Sequence, residues 1–170
     1  MTKEVVIEPY RPEWSERFEH EREQIRAALR GRDIVIEHIG STSVAGLPAK
    51  PIIDIAVDVR DLGEADSFAE PLQTLGYEYV PKPGFPNRRF FRKGQWRKGT
   101  HHLHVHPLYG EEWNANLLFR DYLRNHPETA EEYARLKRRL AALHADDRAV
   151  YTEKKAPFIR SVIESAKRNG

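Results

Sequence analysis

Two clusters of polar side chains interrupt otherwise apolar, strand-like runs, and both carry residue types that can do chemistry. The first lies in IVIEHIGSTSVAGLPAKPIIDIAVDV, residues 34–59. Gly40 and Ser41 end an apolar strand, and a glycine there lets the backbone turn tightly and approach a ligand. Ser41, Thr42 and Ser43 have the hydroxyls and the helix-start position that suit a phosphate. Asp54 then sits inside the apolar run 52–59. Alternation puts Asp54, Ala56 and Asp58 on one strand face and Ile53, Ile55, Val57 and Val59 on the other. A carboxylate in such a place is costly to bury without a partner. Asp54 is either a metal or ligand contact, or a structural group capping the 41–43 turn or paired with Lys50. Asp58, at the strand end, reads as structural.

The second cluster is His101-His102-Leu103-His104-Val105-His106. On a strand His102, His104 and His106 share one face, with neighbours on that face about 7 Å apart. A flat strand brings two of three such imidazoles to one ion, so Asp54 would complete the set. The alternative is a polar face bonded to its neighbours.

These clusters need elements to hold them. Trp14, Phe18, Ile25 and Leu29 recur at helical spacing in 13–30, and Gly31 stops that helix. Residues 61–76 read as a helix with Phe68, Leu72 and Leu75 inward, followed by a strand at 77–80. Residues 81–87 form a Pro-rich loop. Strands at 88–93 and 100–106 flank a hairpin carrying Trp96, Arg97 and Lys98. Beyond Pro107 the chain turns helical, over 111–125, 128–144 and from about 148. The apolar stripe of the second of these helices is Tyr133, Leu136, Leu140 and Leu143, and Pro157 is expected to kink or start the last. The basic run 135–139 reads as a solvated face.

Several of these motifs, in this order, resemble the GrpB family, which is similar to the extra C-terminal domain of some dephospho-CoA kinases. The matching stretches are HIGSTSVAGLPAKPIIDI, FFRKG, HHLHVH, LLFRDYLR and YTEKKAPFI, so the resemblance covers nearly the whole chain. It implies an α+β fold: a mixed sheet of four to five strands, flanking helices, a C-terminal helical part and a nucleotidyltransferase-like core. Strands 34–39 and 52–59 would then be neighbours. That superfamily uses Gly-Ser, then carboxylate-x-carboxylate, then a third carboxylate. Gly40-Ser41 and Asp54 match, while Ala56 and His104 stand in the other two positions.

The resemblance implies transfer of a nucleotidyl group from a nucleoside triphosphate to a small acceptor. Gly40, Ser41, Thr42 and Ser43 would hold phosphate, and Lys50, Arg89 and Lys155 would neutralise its charge. Asp54 and His104 would be catalytic, and Asp54, His102, His104 and His106 are the candidate ligands of magnesium or a transition metal. Asp58, about 13 Å along the strand from Asp54, is too far to share its ion. Two other readings stay open: a catalytically silent module binding a nucleotide or phosphometabolite, and a single-metal hydrolase or lyase.

Composition narrows the field further. A chain of 170 residues, 39% hydrophobic and 32% charged, suits one folded domain over 1–170. A formal charge of +2 from 28 basic and 26 acidic residues argues against wrapping a nucleic-acid backbone. Without cysteine there is no thiol chemistry. No apolar run is long enough to span a membrane, and the first ten residues lack a signal-peptide core, so a cytoplasmic location is expected.

Overall fold

The computed structural model describes residues 5–95, 98–108 and 110–169. Trp96 and Arg97, expected in the hairpin, lie outside the described residues. Five strands form one mixed sheet: β1 (Ile34–Ile39), β2 (Ile53–Val59), β3 (Tyr77–Val80), β4 (Arg89–Gln95) and β5 (Lys98–Pro107). Their order is β1-β2-β5-β4-β3, with β2 and β5 parallel and every other pair antiparallel. The strands expected to be neighbours, 34–39 and 52–59, pair directly.

Alternation along β2 divides the molecule. Ile53, Ile55, Val57 and Val59 face a core shared with Leu103, Val105 and Phe91. That core is closed by α1 (Glu13–Ala28), through Trp14, Phe18 and Ile25, and by Phe68 and Leu72. Glu21 falls on the inner stripe of α1 and is buried. It accepts hydrogen bonds from Tyr77 Oη (2.8 Å) and Lys93 Nζ (3.1 Å), which satisfies the charge. The other face of β2 carries Asp54, Ala56 and Asp58. Asp58 is structural: it is buried and accepts from the Val35 amide at 2.8 Å.

The expected helix over 61–76 is broken. A 3-10 segment, Leu62–Ser67, precedes a short α2, Ala69–Gln73. Pro71 explains this, because its ring clashes with the carbonyl four residues back and it has no amide to donate. In the C-terminal part α3 (Glu111–Asn125), α4 (Pro127–Leu143) and α5 (Arg148–Asn169) form a second core with Val44 and Leu47. Pro157 lies inside α5, which runs on through it. Leu143, expected in the α4 stripe, is 67% exposed.

Candidate functional site

Register builds the site. Asp54, second in β2, lies beside His102 on the parallel strand β5, and Ala56 lies beside His104. Adjacent strands are close enough for one carboxylate to reach imidazoles at the paired position and two residues further on. Asp54 Oδ1 is 3.6 Å from His102 Nδ1 and 3.8 Å from His104 Nε2. The three side chains are 30%, 27% and 18% exposed, so the cluster opens to solvent. Phe90, opposite His104 on β4, packs against both rings at 5.2 and 5.1 Å.

The charge states follow from these contacts. Burial pushes the Asp54 carboxyl up, but the two imidazoles outweigh it and hold the group well below the usual carboxylate range. Burial pushes His104 below its ordinary value, against the pull of Asp54. His104 Nδ1 is buried without a hydrogen-bond partner.

Gly40, just after β1, lies directly against Asp54. Gly40 has φ 73° and ψ −172°, a region open essentially to glycine alone. A Cβ there would lie 2.6 Å from Asp54 Oδ2. The missing Cβ at Gly40 thus makes room for the Asp54 carboxylate. The next residues make one 3-10 turn, Ser41–Ser43, held by α3: Arg124 donates to the Ser43 carbonyl at 3.0 and 2.8 Å. Arg120 ties α3 to β1 through Glu37 (2.6 Å) and the His38 carbonyl (3.1 Å).

Two of the three hydroxyls of this turn have partners within the protein. The Ser43 amide and hydroxyl both bond to the Gly40 carbonyl. Thr42 Oγ1 donates to the Ile52 carbonyl (3.4 Å) and meets His38 Nε2 at 2.9 Å. Ser43 lines a separate cavity of about 640 Å³ behind the turn.

A cavity of about 260 Å³ holds Ser41, Thr42, Lys50, Asp54, His102, His104 and Lys155 together, seven of the expected site residues. It also contains two that sequence reasoning placed elsewhere, Lys137 and Tyr151. Lys137, in the run expected to be solvated, is 2% exposed and donates to the Pro48 carbonyl. Its spacing gave a signal: it lies four residues after Tyr133 and three before Leu140, inside the apolar stripe. Lys50 and Lys155 sit over the Tyr151 ring at 5.5 and 4.6 Å, and Lys137 over Tyr133 at 4.8 Å. Among the described residues none of the three amines has an ion-pair partner within 4 Å, and the carboxylate drawing on all three is Asp54. Burial, reinforced by the other lysines, lowers Lys137 to about 6 and Lys155 to about 8.

Two expected residues lie elsewhere. Arg89 pairs with Val105, so it falls on the face of the sheet opposite the His102/His104 row, where it meets Asp66 at 3.6 Å. Arg88 is the arginine whose charge acts on His104 and His106. His106 is 1% exposed, with Nδ1 3.4 Å from Glu112 Oε2. It lies on the expected strand face but outside the Asp54 cluster.

The fold defines the class. The chain matches the Cid1 poly(U) polymerase, solved as a mutant bound to MgATP, with a TM-score of 0.56 at 14% identity over 80% of this chain and 44% of that one. At that identity the likeness is one of nucleotidyltransferase-like fold. Residues 4–165 match the family described as GrpB protein, and the chain belongs to it. The structure of conserved protein GrpB from Enterococcus faecalis is 38% identical, with a TM-score of 0.89 over 96% of this chain and 98% of that one. UPF0157 protein YqkA of Bacillus subtilis is 40% identical over 98% of this chain and 48% of its own length. A dephospho-CoA kinase of Mycolicibacterium paratuberculosis is 28% identical over 95% of this chain and 46% of its own. The chain thus spans about half the length of the last two relatives. Among the described residues no helix is long and apolar enough to cross a membrane.

A magnesium pair does not fit this donor set. Magnesium takes hard oxygen ligands in octahedral geometry, and a two-ion site needs carboxylates to bridge and flank the ions. Asp54 is the one carboxylate of the cluster, with Ala56 and His104 at the other two positions.

Proposed function

We propose that this cavity binds a nucleoside triphosphate by its polyphosphate. The observation that carries the reading is the set of three lysine amines around one cavity, each over an aromatic ring and none against an acid. Burial makes a positive charge on these amines costly, and an anion entering the cavity favours their protonated, charged form. Ser41 adds a hydroxyl on the same wall. A volume of about 260 Å³ is below the usual range for a whole drug-sized ligand, so the phosphate chain enters and the nucleoside lies across the open side. The fold neighbour bound to MgATP supports the choice of a nucleotide among phosphorylated ligands, although fold by itself does not assign function.

Asp54 and His104 face the same cavity. His104, kept neutral by burial, offers Nε2 on the cavity side, either to an ion or, when no ion is bound there, to a proton from an acceptor hydroxyl. Titration calorimetry with ATP, GTP, CTP, UTP, inorganic triphosphate and the free nucleosides tests the reading. Triphosphates should bind and nucleosides should not. Lys155→Met should weaken binding about tenfold or more, in line with loss of one charge-assisted hydrogen bond. Equal affinity for a nucleoside and its triphosphate would remove the proposal. Pyrophosphate release in the same samples separates transfer from silent binding.

A second reading is favoured by one observation, the single-carboxylate donor set. In it the Asp54, His102 and His104 wall hydrolyses or cleaves a phosphorylated small molecule with one bound ion. Release of orthophosphate, or of a cleaved product, without pyrophosphate would select it.

A further inference from the structure

The mismatch between this donor set and a magnesium pair has a positive side. We propose that Asp54, His102 and His104 form a binding site for one borderline transition-metal cation of the zinc type, in place of hard magnesium ions. The inference is independent of the nucleotide reading.

Three observations support it. The first is chemistry: two imidazole nitrogens and one carboxylate oxygen suit zinc and its neighbours, whereas magnesium prefers oxygen throughout. The second is spacing. Ligands bound at about 2.0–2.1 Å in a tetrahedron lie roughly 3.3–3.4 Å apart. Asp54 Oδ1 stands 3.6 and 3.8 Å from the two imidazole nitrogens, and all three ligand atoms lie within 4.8 Å of one another. The third is support: pairing of β2 with β1 and β5 places Asp54 beside the histidines, Gly40 leaves room for its carboxylate, and Phe90 walls both rings. Three protein ligands leave a coordination position for solvent or a ligand, as in catalytic zinc sites. His106 takes no part, because its Nδ1 faces Glu112 and its ring stacks on His104 with centroids 6.1 Å apart.

The test uses the metal alone. Metal-stripped full-length protein is titrated with Zn²⁺, Co²⁺, Mn²⁺ and Mg²⁺ by calorimetry, and the Co²⁺ form is examined by visible absorption. The expected result is one site, Zn²⁺ bound at least 100-fold more tightly than Mg²⁺, and an intense Co²⁺ band typical of four-coordinate geometry. His102→Ala, on a partly exposed ring, and Asp54→Asn should each lower Zn²⁺ affinity at least tenfold, with folding checked by thermal melting. His144→Gln, outside the cluster, should change nothing. His104→Asp should narrow the gap between Zn²⁺ and Mg²⁺ by exchanging a nitrogen for an oxygen donor. Mg²⁺ binding as tightly as Zn²⁺, two ions per chain, or Zn²⁺ affinity unchanged in both His102→Ala and Asp54→Asn would overturn the proposal. Since no nucleotide is present, failure here leaves the polyphosphate reading standing, and the reverse also holds.

Discussion

Lys137 shows the tension between stability and function in a single side chain. Its amine is buried beside two other lysines and gains one carbonyl bond, to Pro48. Replacing such a group by an apolar one of similar size is often stabilising. Lys137→Met should therefore raise stability by about 1 kcal/mol or more, roughly 2–4 °C in melting temperature for a domain of this size. The same change should weaken triphosphate binding, and a variant that loses stability while keeping affinity would show the lysine to be structural. Proton linkage gives a second test at this scale. In the free protein Lys137 gains its proton near pH 6 and Lys155 near pH 8. An anion raises both values, so binding at pH 8 should take up protons. At that pH phosphate groups are already fully ionised, and calorimetry in buffers of different ionisation enthalpy reads the uptake directly. Net proton release would contradict the arrangement.

At the scale of elements, the junction of β1 with the 41–43 turn packs against Asp54, and Gly40 is its tightest point. Gly40→Ala adds a Cβ in a backbone region costing about 1–3 kcal/mol and drives it against Asp54. Melting temperature and Zn²⁺ affinity should fall together. A fall in stability alone would separate the turn from the site. The same junction carries a pH dependence. His38 is stacked on Phe18 and bonded to Thr42, and burial lowers it from 6.5 to about 4. Between those values the unfolded chain binds more protons than the folded one. The His38 contribution to stability therefore drops as pH falls from about 6.5 to about 4, by roughly 3 kcal/mol, and is fully lost below that. His106, also lowered to about 4 by burial, adds to the same trend. Urea melts across this range should show the loss, and His38→Gln should flatten it.

Elements also decide what could be read in advance. The parity of β2 and of the His102/His104/His106 row was legible, because each strand alternates cleanly between apolar and polar residues. Asp54 and two imidazoles meet as that parity requires. The register of β4 was not legible, since Arg88, Arg89 and Arg92 give no apolar marker of which face is inward. Arg89 was therefore expected where Arg88 acts. Lys137 was hidden by its neighbours, whose charges describe a solvated face. Hydroxyls at 41–43 suggested an anion cradle; in the fold Thr42 bonds to Ile52 and His38 and Ser43 bonds to Gly40, while Ser41 lines the cavity.

For the whole molecule, the question is whether the positive charge serves a long polyanion. The net charge is only +2, and three of the cations closest to the site lie inside the cavity, without forming an exposed stripe. A nucleic-acid backbone is bound by releasing counterions along a track of surface lysines and arginines, with a salt dependence that grows with each phosphate neutralised. Some of the exposed arginines are engaged locally, as in Arg60 with Asp33 at 2.8 Å and Arg135 with Glu131 at 3.3 Å. The protein should accordingly take a small phosphorylated ligand and bind a defined duplex no tighter than nonspecific proteins do, at about 10⁻⁴–10⁻⁶ M at physiological salt. Fluorescence anisotropy with labelled DNA and RNA duplexes, and with a single strand, measures this across salt concentrations. Nanomolar affinity for any of them, or a steep salt slope, would show that a surface track exists and that the cavity lysines are only its end.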